Sequence, residues 1–264
     1  MKIGWKTAAA ASLLLVSCGG DSNAALSKNF NYGAPQAPST AELSAASSAQ
    51  GTVSSSSSFG TSPDATSASA IVNLADQLAT SAFGASALGV AGVPEAEPQL
   101  RAALRTAVTD ACATVTATSV TFTNCLQIEA GYTFTLNGKV SNTNGTPITW
   151  DINGSFTGTT QGYAIALGLH QSGSLTVTST TVDGKAASEI NGSISGNGQN
   201  VSFGLDTAAL VSITYNPTCI TSGNIEVKRV WSEKPNGATG PDFADVGVKL
   251  TWTGCSAVQV QHSM

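Results

Sequence analysis

The later part of the chain alternates apolar and polar residues with a period of two. From residue 113 onward, every second position is apolar through about ten segments, which are separated by residues that favour turns. Clear examples are residues 132–140, 148–156, 163–169, 201–205 and 246–252. One apolar and one polar face is typical of antiparallel strands whose sheet is covered on one side. The pattern therefore predicts a long antiparallel β-meander.

Two segments before the meander have the period of a helix. Apolar residues recur at i, i+3, i+4 and i+7 near residues 68–83 and again near 95–110. Each apolar stripe needs cover, and the meander is the nearest candidate. The sequence therefore predicts an α+β domain over residues 67–264, with two N-terminal helices packed on a half-barrel or barrel-like sheet. A β-sandwich is the alternative.

The predicted contact between helices and sheet involves named side chains. On the helices they are Leu74, Leu78, Leu104 and Val108. On the sheet they are Trp150, Ile152, Phe156, Leu167, Leu169, Phe203, Leu250 and Trp252.

Glycines follow asparagine or aspartate at several points in the meander. Asn144-Gly145, Asp183-Gly184, Asn197-Gly198 and Asn236-Gly237 are predicted turns, because these residues tolerate positive φ. A short echo centred on Gly138, Gly154 and Gly192 falls inside predicted strands. Glycine within a strand marks a bend, a bulge or the close approach of another backbone.

Residues 18–66 have the composition of a linker. Serine and alanine runs dominate, Pro35, Pro38 and Pro63 interrupt them, and apolar residues are scattered. We expect a disordered tether, with an end-to-end distance on the order of 40 Å. Deleting residues 19–60 is then expected to cost almost no stability.

The N-terminus has the parts of an export signal. Lys2 and Lys6 precede a short apolar run, and Leu15-Val16-Ser17-Cys18 closes it. This arrangement resembles the lipobox of bacterial lipoproteins. The resemblance implies removal of residues 1–17, acylation of Cys18 with palmitate-type chains, and attachment to the membrane through that lipid. Gly19 is not the aspartate that retains lipoproteins at the inner membrane, so we expect the outer membrane, facing the periplasm or the cell surface.

Charge and composition exclude some partners. Without residues 1–17, nine basic side chains remain against sixteen acidic ones, and only 10% of all residues are charged. Such a surface does not neutralise phosphates, so we expect no nucleic-acid partner. No cofactor motif is present in the sequence, and no cofactor is expected.

Four cysteines remain after Cys18. An even number in an exported chain predicts disulfides, and four cysteines allow three pairings. Cys112 and Cys125 bracket a predicted hairpin, which leaves Cys219 to pair with Cys255. A metal site is not expected, because CxxC spacing and nearby histidines are missing.

No catalytic residue is assigned from the sequence. The two histidines, His170 and His262, stand outside any HExxH motif, and the segment Gly192 to Gly196 does not match the GxSxG nucleophile elbow. Asp151 and Glu189 each lie two residues before Asn-x-Ser, a spacing that resembles the extended bacterial N-glycosylation sequon. Asn153 and Asn191 are therefore candidate acceptors, with a repeated strand bend as the alternative.

Three functions remain open at this level. The first is a non-catalytic, lipid-anchored envelope protein that binds an apolar ligand or an envelope component, an architecture that resembles the half-barrel carriers of lipoproteins. The second is a hydrolase that acts on envelope polysaccharide or lipid. The third is a surface adhesion or assembly subunit. An empty apolar cavity favours a carrier, a cleft with facing carboxylates favours a glycosidase, and a filled core favours adhesion or scaffolding.

Overall fold

A single antiparallel sheet makes up most of the fold. The computed structural model describes residues 23–40, 42–44, 46–47, 112–129, 132–141, 147–160, 162–196, 198–255 and 257–264. Ten strands follow one another in space in the order of the chain. They are β1 Ala113–Val115, β2 Ser119–Glu129, β3 Tyr132–Ser141, β4 Ile148–Thr160, β5 Tyr163–Val177, β6 Thr181–Gly196, β7 Gln199–Tyr215, β8 Ile220–Glu233, β9 Val246–Gly254 and β10 Ala257–His262.

The predicted meander is confirmed, but the predicted α+β class is wrong. Helical structure in the described residues is confined to α1, Ala24–Ser27, a short segment within residues 40–47, and 3-10 turns at Pro235–Gly237 and Pro241–Phe243. The helices predicted near 68–83 and 95–110 lie outside the described residues. The β-sandwich alternative is also wrong, because the ten strands form one open sheet with β1 and β10 at its ends.

One face of the sheet, here called the inner face, carries the main hydrophobic core. A single cluster of buried side chains runs from Val120 in β2 to Val260 in β10. All eight sheet residues predicted to share an apolar face are buried and belong to this cluster. Their predicted helix partners, Leu74, Leu78, Leu104 and Val108, lie outside the described residues.

Glycines allow neighbouring strands to approach closely within the sheet. Gly138 in β3 has a φ of 136°, and a side chain there would collide with the backbone carbonyl of Asp151 in β4. Gly184 has a φ of 150° and lies within β6 beside Ser174 and Leu175. The prediction of a turn at Asp183-Gly184 is therefore wrong, whereas close backbone approach is the reason for glycine in the echoed motif at Gly138.

Two disulfides hold the sheet at its ends. Cys112 is bonded to Cys125 and Cys219 to Cys255, with Cα–Cα distances of 5.2 and 5.5 Å. These are the two pairings predicted from the sequence. The first closes the β1–β2 hairpin, and in the chain-entropy model a loop of this length stabilises the fold by about 3 kcal/mol.

Residues 23–36, here called the strap, depart from the predicted tether. Ala25 is fully buried against Ala208 and Val230 on the outer face of the sheet, opposite the main core. The strap then reaches β10, where Gln36 exchanges backbone hydrogen bonds with Val260 at 2.8 and 3.0 Å. Further along, Ala46 belongs to the main core on the inner face. The chain therefore passes around the β10 edge from one face of the sheet to the other.

Candidate functional site

A row of polar side chains crosses the outer face between β3 and β7. Cross-strand pairing places its members side by side, and directly paired residues share a face. The row consists of Asn137, Asn153, His170, Glu189 and Asp206.

His170 is the centre of this row. Its Nε2 lies 3.1 Å from Asp151 Oδ1, and its Nδ1 lies 3.6 Å from Glu189 Oε2. The side chain of His170 is 23% exposed, compared with 71% for Asp151 and 28% for Glu189. We call these three residues the histidine cluster. The Nε2–Oδ1 contact is within hydrogen-bond distance, whereas the longer separation between Nδ1 and Glu189 is a close approach without a hydrogen bond.

Asp206 is the last residue of the row, and the strap contacts it there. This carboxylate is 7% exposed; its Oδ2 accepts the backbone N–H of Ala24 at 2.9 Å, and its Oδ1 accepts the Ser232 hydroxyl at 3.3 Å. Burial raises the pKa of Asp206, and the negative charge of Glu189 acts in the same direction. The hydrogen bonds from Ala24 and Ser232 lower that pKa and offset part of the increase.

The raised pKa of Asp206 gives a pH-dependence of stability. A carboxyl group that binds its proton more tightly in the folded state contributes stability below its unfolded pKa, and that contribution is lost as the pH rises through the folded pKa. Asparagine does not titrate, so the Asp206→Asn variant does not lose this stability as the pH rises. As the pH rises from below about 3.9, the ordinary aspartate value, to neutrality, we expect its stability to increase relative to the wild type. Urea unfolding of both proteins across this range measures the difference. A difference that is flat, or that falls with pH, would contradict the assignment.

A second polar row lies on the opposite, inner face, and in β5 to β7 its positions are next to those of the first row in the sequence. It consists of Gln171, Ser188, Thr207 and Arg229, in direct register from β5 to β8. Gln171 is 2% exposed, and within the described part of the chain its Oε1 has no hydrogen-bond partner. The same holds for Nε1 of the buried Trp150. Polar side chains therefore lie within the inner-face core, among apolar side chains that are buried.

Several residues of these rows can be identified from the sequence, but their contacts cannot. The structure brings Asp151 and Glu189 together through His170, and it places His262 with Glu42, 3.1 Å between Nε2 and Oε1. The register of β4, β5 and β6 creates the histidine cluster, and a single sequence carries no direct signal for that register.

The two candidate glycosylation sites lie in the interior of strands. Asn153 in β4 and Asn191 in β6 are both exposed on the outer face. Both are in segments that pair with strands on either side. Gly192 to Gly196 continues β6 and so lacks the strand-to-helix turn of a nucleophile elbow. Glycosylation stays a prediction.

The arrangement does not resemble an enclosed catalytic centre. Electrostatic catalysis needs oriented groups in a site from which water is excluded, and Asp151 stands on an open strand surface. In the described ranges no three metal-ligating side chains come together in a group that could hold an ion. Among the helices of those same ranges, none is both long and apolar enough to span a bilayer.

In the described residues, fold and site define an all-β arrangement built on one open meander, with a strap across its outer face. No family model, curated protein or solved structure matches the chain.

Proposed function

We propose that this chain is an exported envelope protein, anchored by lipid at Cys18, whose sheet is a non-catalytic binding or structural module. The observation that carries the proposal is the cysteine directly after a short apolar run with a basic start. Two disulfides within the fold support an oxidising compartment outside the cytoplasm. Gly19 favours the outer membrane as the destination.

The interior favours a structural or adhesive module over a carrier of lipids. Large side chains from β2 to β10 fill the inner face in one cluster, including Phe156, Phe203 and Leu205 at 1–2% exposure. A carrier of apolar ligands needs an apolar cavity of several hundred cubic ångströms. Among the described residues, the continuous cluster supports a packed interior, and we propose the outer face and the strand ends as the surfaces for an envelope partner.

The hydrolase alternative finds less support in the site. Its carboxylates, Asp151 and Glu189, flank the imidazole of His170 on an open strand surface rather than facing each other across a cleft. A glycosidase needs two carboxyl groups on opposite sides of a substrate bond. The histidine cluster therefore favours a role in strand pairing or surface recognition.

Replacement of Cys18 tests the proposal. Cells that express the wild type or Cys18→Ser are labelled with an alkyne analogue of palmitate, and membranes are then separated by density. We expect the wild type to carry the label and to sediment with the outer membrane. Cys18→Ser should lose the label and keep its signal segment, because acylation precedes cleavage in lipoproteins.

Ser22→Ala is the matched control, since it changes a small residue close to Cys18 and should behave as the wild type. If Cys18→Ser is labelled, cleaved and fractionated like the wild type, the lipoprotein proposal is wrong.

A further inference from the structure

The strap is fixed to the sheet from its first described residue. The Asn23 side chain donates to the backbone carbonyls of Ser188 in β6 and Thr207 in β7, at 3.3 and 3.5 Å. The next residue, Ala24, donates its backbone N–H to Asp206. Asn23 is 3% exposed. The described chain therefore begins on the outer face, at the middle of β6 and β7.

The rest of the strap holds this starting point in place. The ammonium group of the buried Lys228 donates to the backbone carbonyl of Lys28 at 2.8 Å. The hydroxyl of Tyr32 donates to Glu226 at 2.7 Å. Burial, followed by the hydrogen bond and charge of Glu226, raises the pKa of Tyr32, so the hydroxyl keeps its proton for this bond. Neither contact can form if the strap leaves the sheet.

Covalent geometry then limits the distance to the lipid. Cys18 lies five residues before Asn23. A chain extends by at most about 3.6 Å per residue, so the two Cα atoms are at most about 18 Å apart in any conformation of the intervening residues. The 48-residue tether expected from composition would have allowed on the order of 40 Å on average.

We propose that the outer face of β6 to β8, around the strap, lies against the surface of the lipid bilayer. This inference rests on the proposed acylation of Cys18 and specifies which surface of the domain the lipid brings to the membrane. The short chain between Cys18 and Asn23 and the position of Asn23 support this placement. Attraction of basic residues to the membrane is not part of it, because Lys28 is paired with Asp245 at 3.2 Å beside the strap.

Energy transfer from protein to membrane tests this placement. A fluorescent non-natural amino acid replaces Lys185, which is exposed on the outer face of β6 three residues from Ser188, or Leu126, which is 56% exposed on β2. β2 lies four strands from β6, about 19 Å across the sheet at the usual strand spacing, and the usual twist between strands turns its outer face roughly 80° away from that of β6. The purified acylated proteins are reconstituted in phosphatidylethanolamine–phosphatidylglycerol vesicles that contain an acceptor dye on lipid headgroups.

We expect stronger transfer from position 185 than from position 126. Insertion of a glycine–serine linker of about 20 residues between Ser22 and Asn23 adds an average span of about 25 Å and should reduce transfer from position 185 about twofold. The same linker inserted after Gly198, in the β6–β7 turn, is the matched control and should leave the transfer unchanged.

The two proposals fail in different ways. If the wild-type protein carries no acyl chain and does not float with vesicles, the proposed function is wrong. If it is acylated and floats, but transfer from position 185 does not exceed that from position 126 or is unaffected by the linker before Asn23, the placement on the membrane is wrong.

Discussion

Replacing Phe156 with alanine is expected to lower the free energy of unfolding by about 3–5 kcal/mol. Phe156 is 2% exposed in β4, and its ring stacks on Tyr132 with the centroids 5.1 Å apart. Its direct cross-strand neighbours, Phe134 and Leu167, are also buried. Truncation removes apolar contact on three sides and leaves a cavity that long, paired strands cannot collapse to fill.

Equilibrium urea unfolding of the domain with both disulfides intact measures this loss. Thr157→Ala is the matched control, because Thr157 is the next residue of β4 and is exposed on the opposite face. We expect that change to stay within about 0.5 kcal/mol. Equal effects of the two substitutions would contradict the assignment of the inner face as the core.

Deleting residues 19–36 is expected to lower the free energy of unfolding by about 2–4 kcal/mol. The deletion uncovers Ala208 and Val230, removes the backbone pairing of Gln36 with Val260, and takes one hydrogen bond each from Asp206 and Lys228. Part of this loss is offset because the strap no longer has to be ordered. The structure therefore reverses the expectation that this part of the chain can be removed at almost no cost.

Deletion of residues 19–22 alone is the control for the strap. It shortens the chain before Asn23 and leaves every described contact of the strap in place. We expect the stability of this variant to match that of the undeleted chain in the same unfolding experiment. If the longer deletion is as harmless as the shorter one, residues 23–36 do not contribute to the fold.

The strands could be predicted because their signal is local. Alternation between apolar and polar residues reports which side of a strand is buried, whatever the strand pairs with. The eight residues assigned to one apolar face, such as Trp150 and Trp252, are buried for this reason. The disulfides could be predicted because the even number of cysteines favoured pairing and the hairpin predicted between Cys112 and Cys125 selected one of three pairings.

The strap could not be predicted because its contacts are distant in sequence. The linker is predicted from residues 18–66 as a whole, where serine and alanine runs dominate, and the apolar residues of 23–36 follow no regular helix or strand period. The segment is held instead by hydrogen bonds to Ser188, Thr207 and Lys228, which lie 165 to 200 residues away in the chain. Composition assigns such a segment to a linker, because composition does not report hydrogen bonds that distant strands supply.

The histidine cluster depends on register in the same way. His170 pairs with Asn153 on one side and Glu189 on the other. A shift of one residue in either pairing would move the carboxylates to the opposite face. The three ionisable residues can be identified in the sequence. Their contact depends on the exact pairing along strands of 13 to 16 residues.

Hydrogen exchange of the strap amides tests the central claim, that residues 23–36 belong to the folded domain, most directly. The amides of Ala24, Gly33 and Gln36 donate to Asp206, His262 and Val260 at 2.8–3.0 Å. We predict that these amides exchange far more slowly than unstructured peptide and become unprotected when residues of β10 unfold. Exchange at the unstructured rate while β7 and β10 remain protected would show that the strap is a free tether and contradict the account.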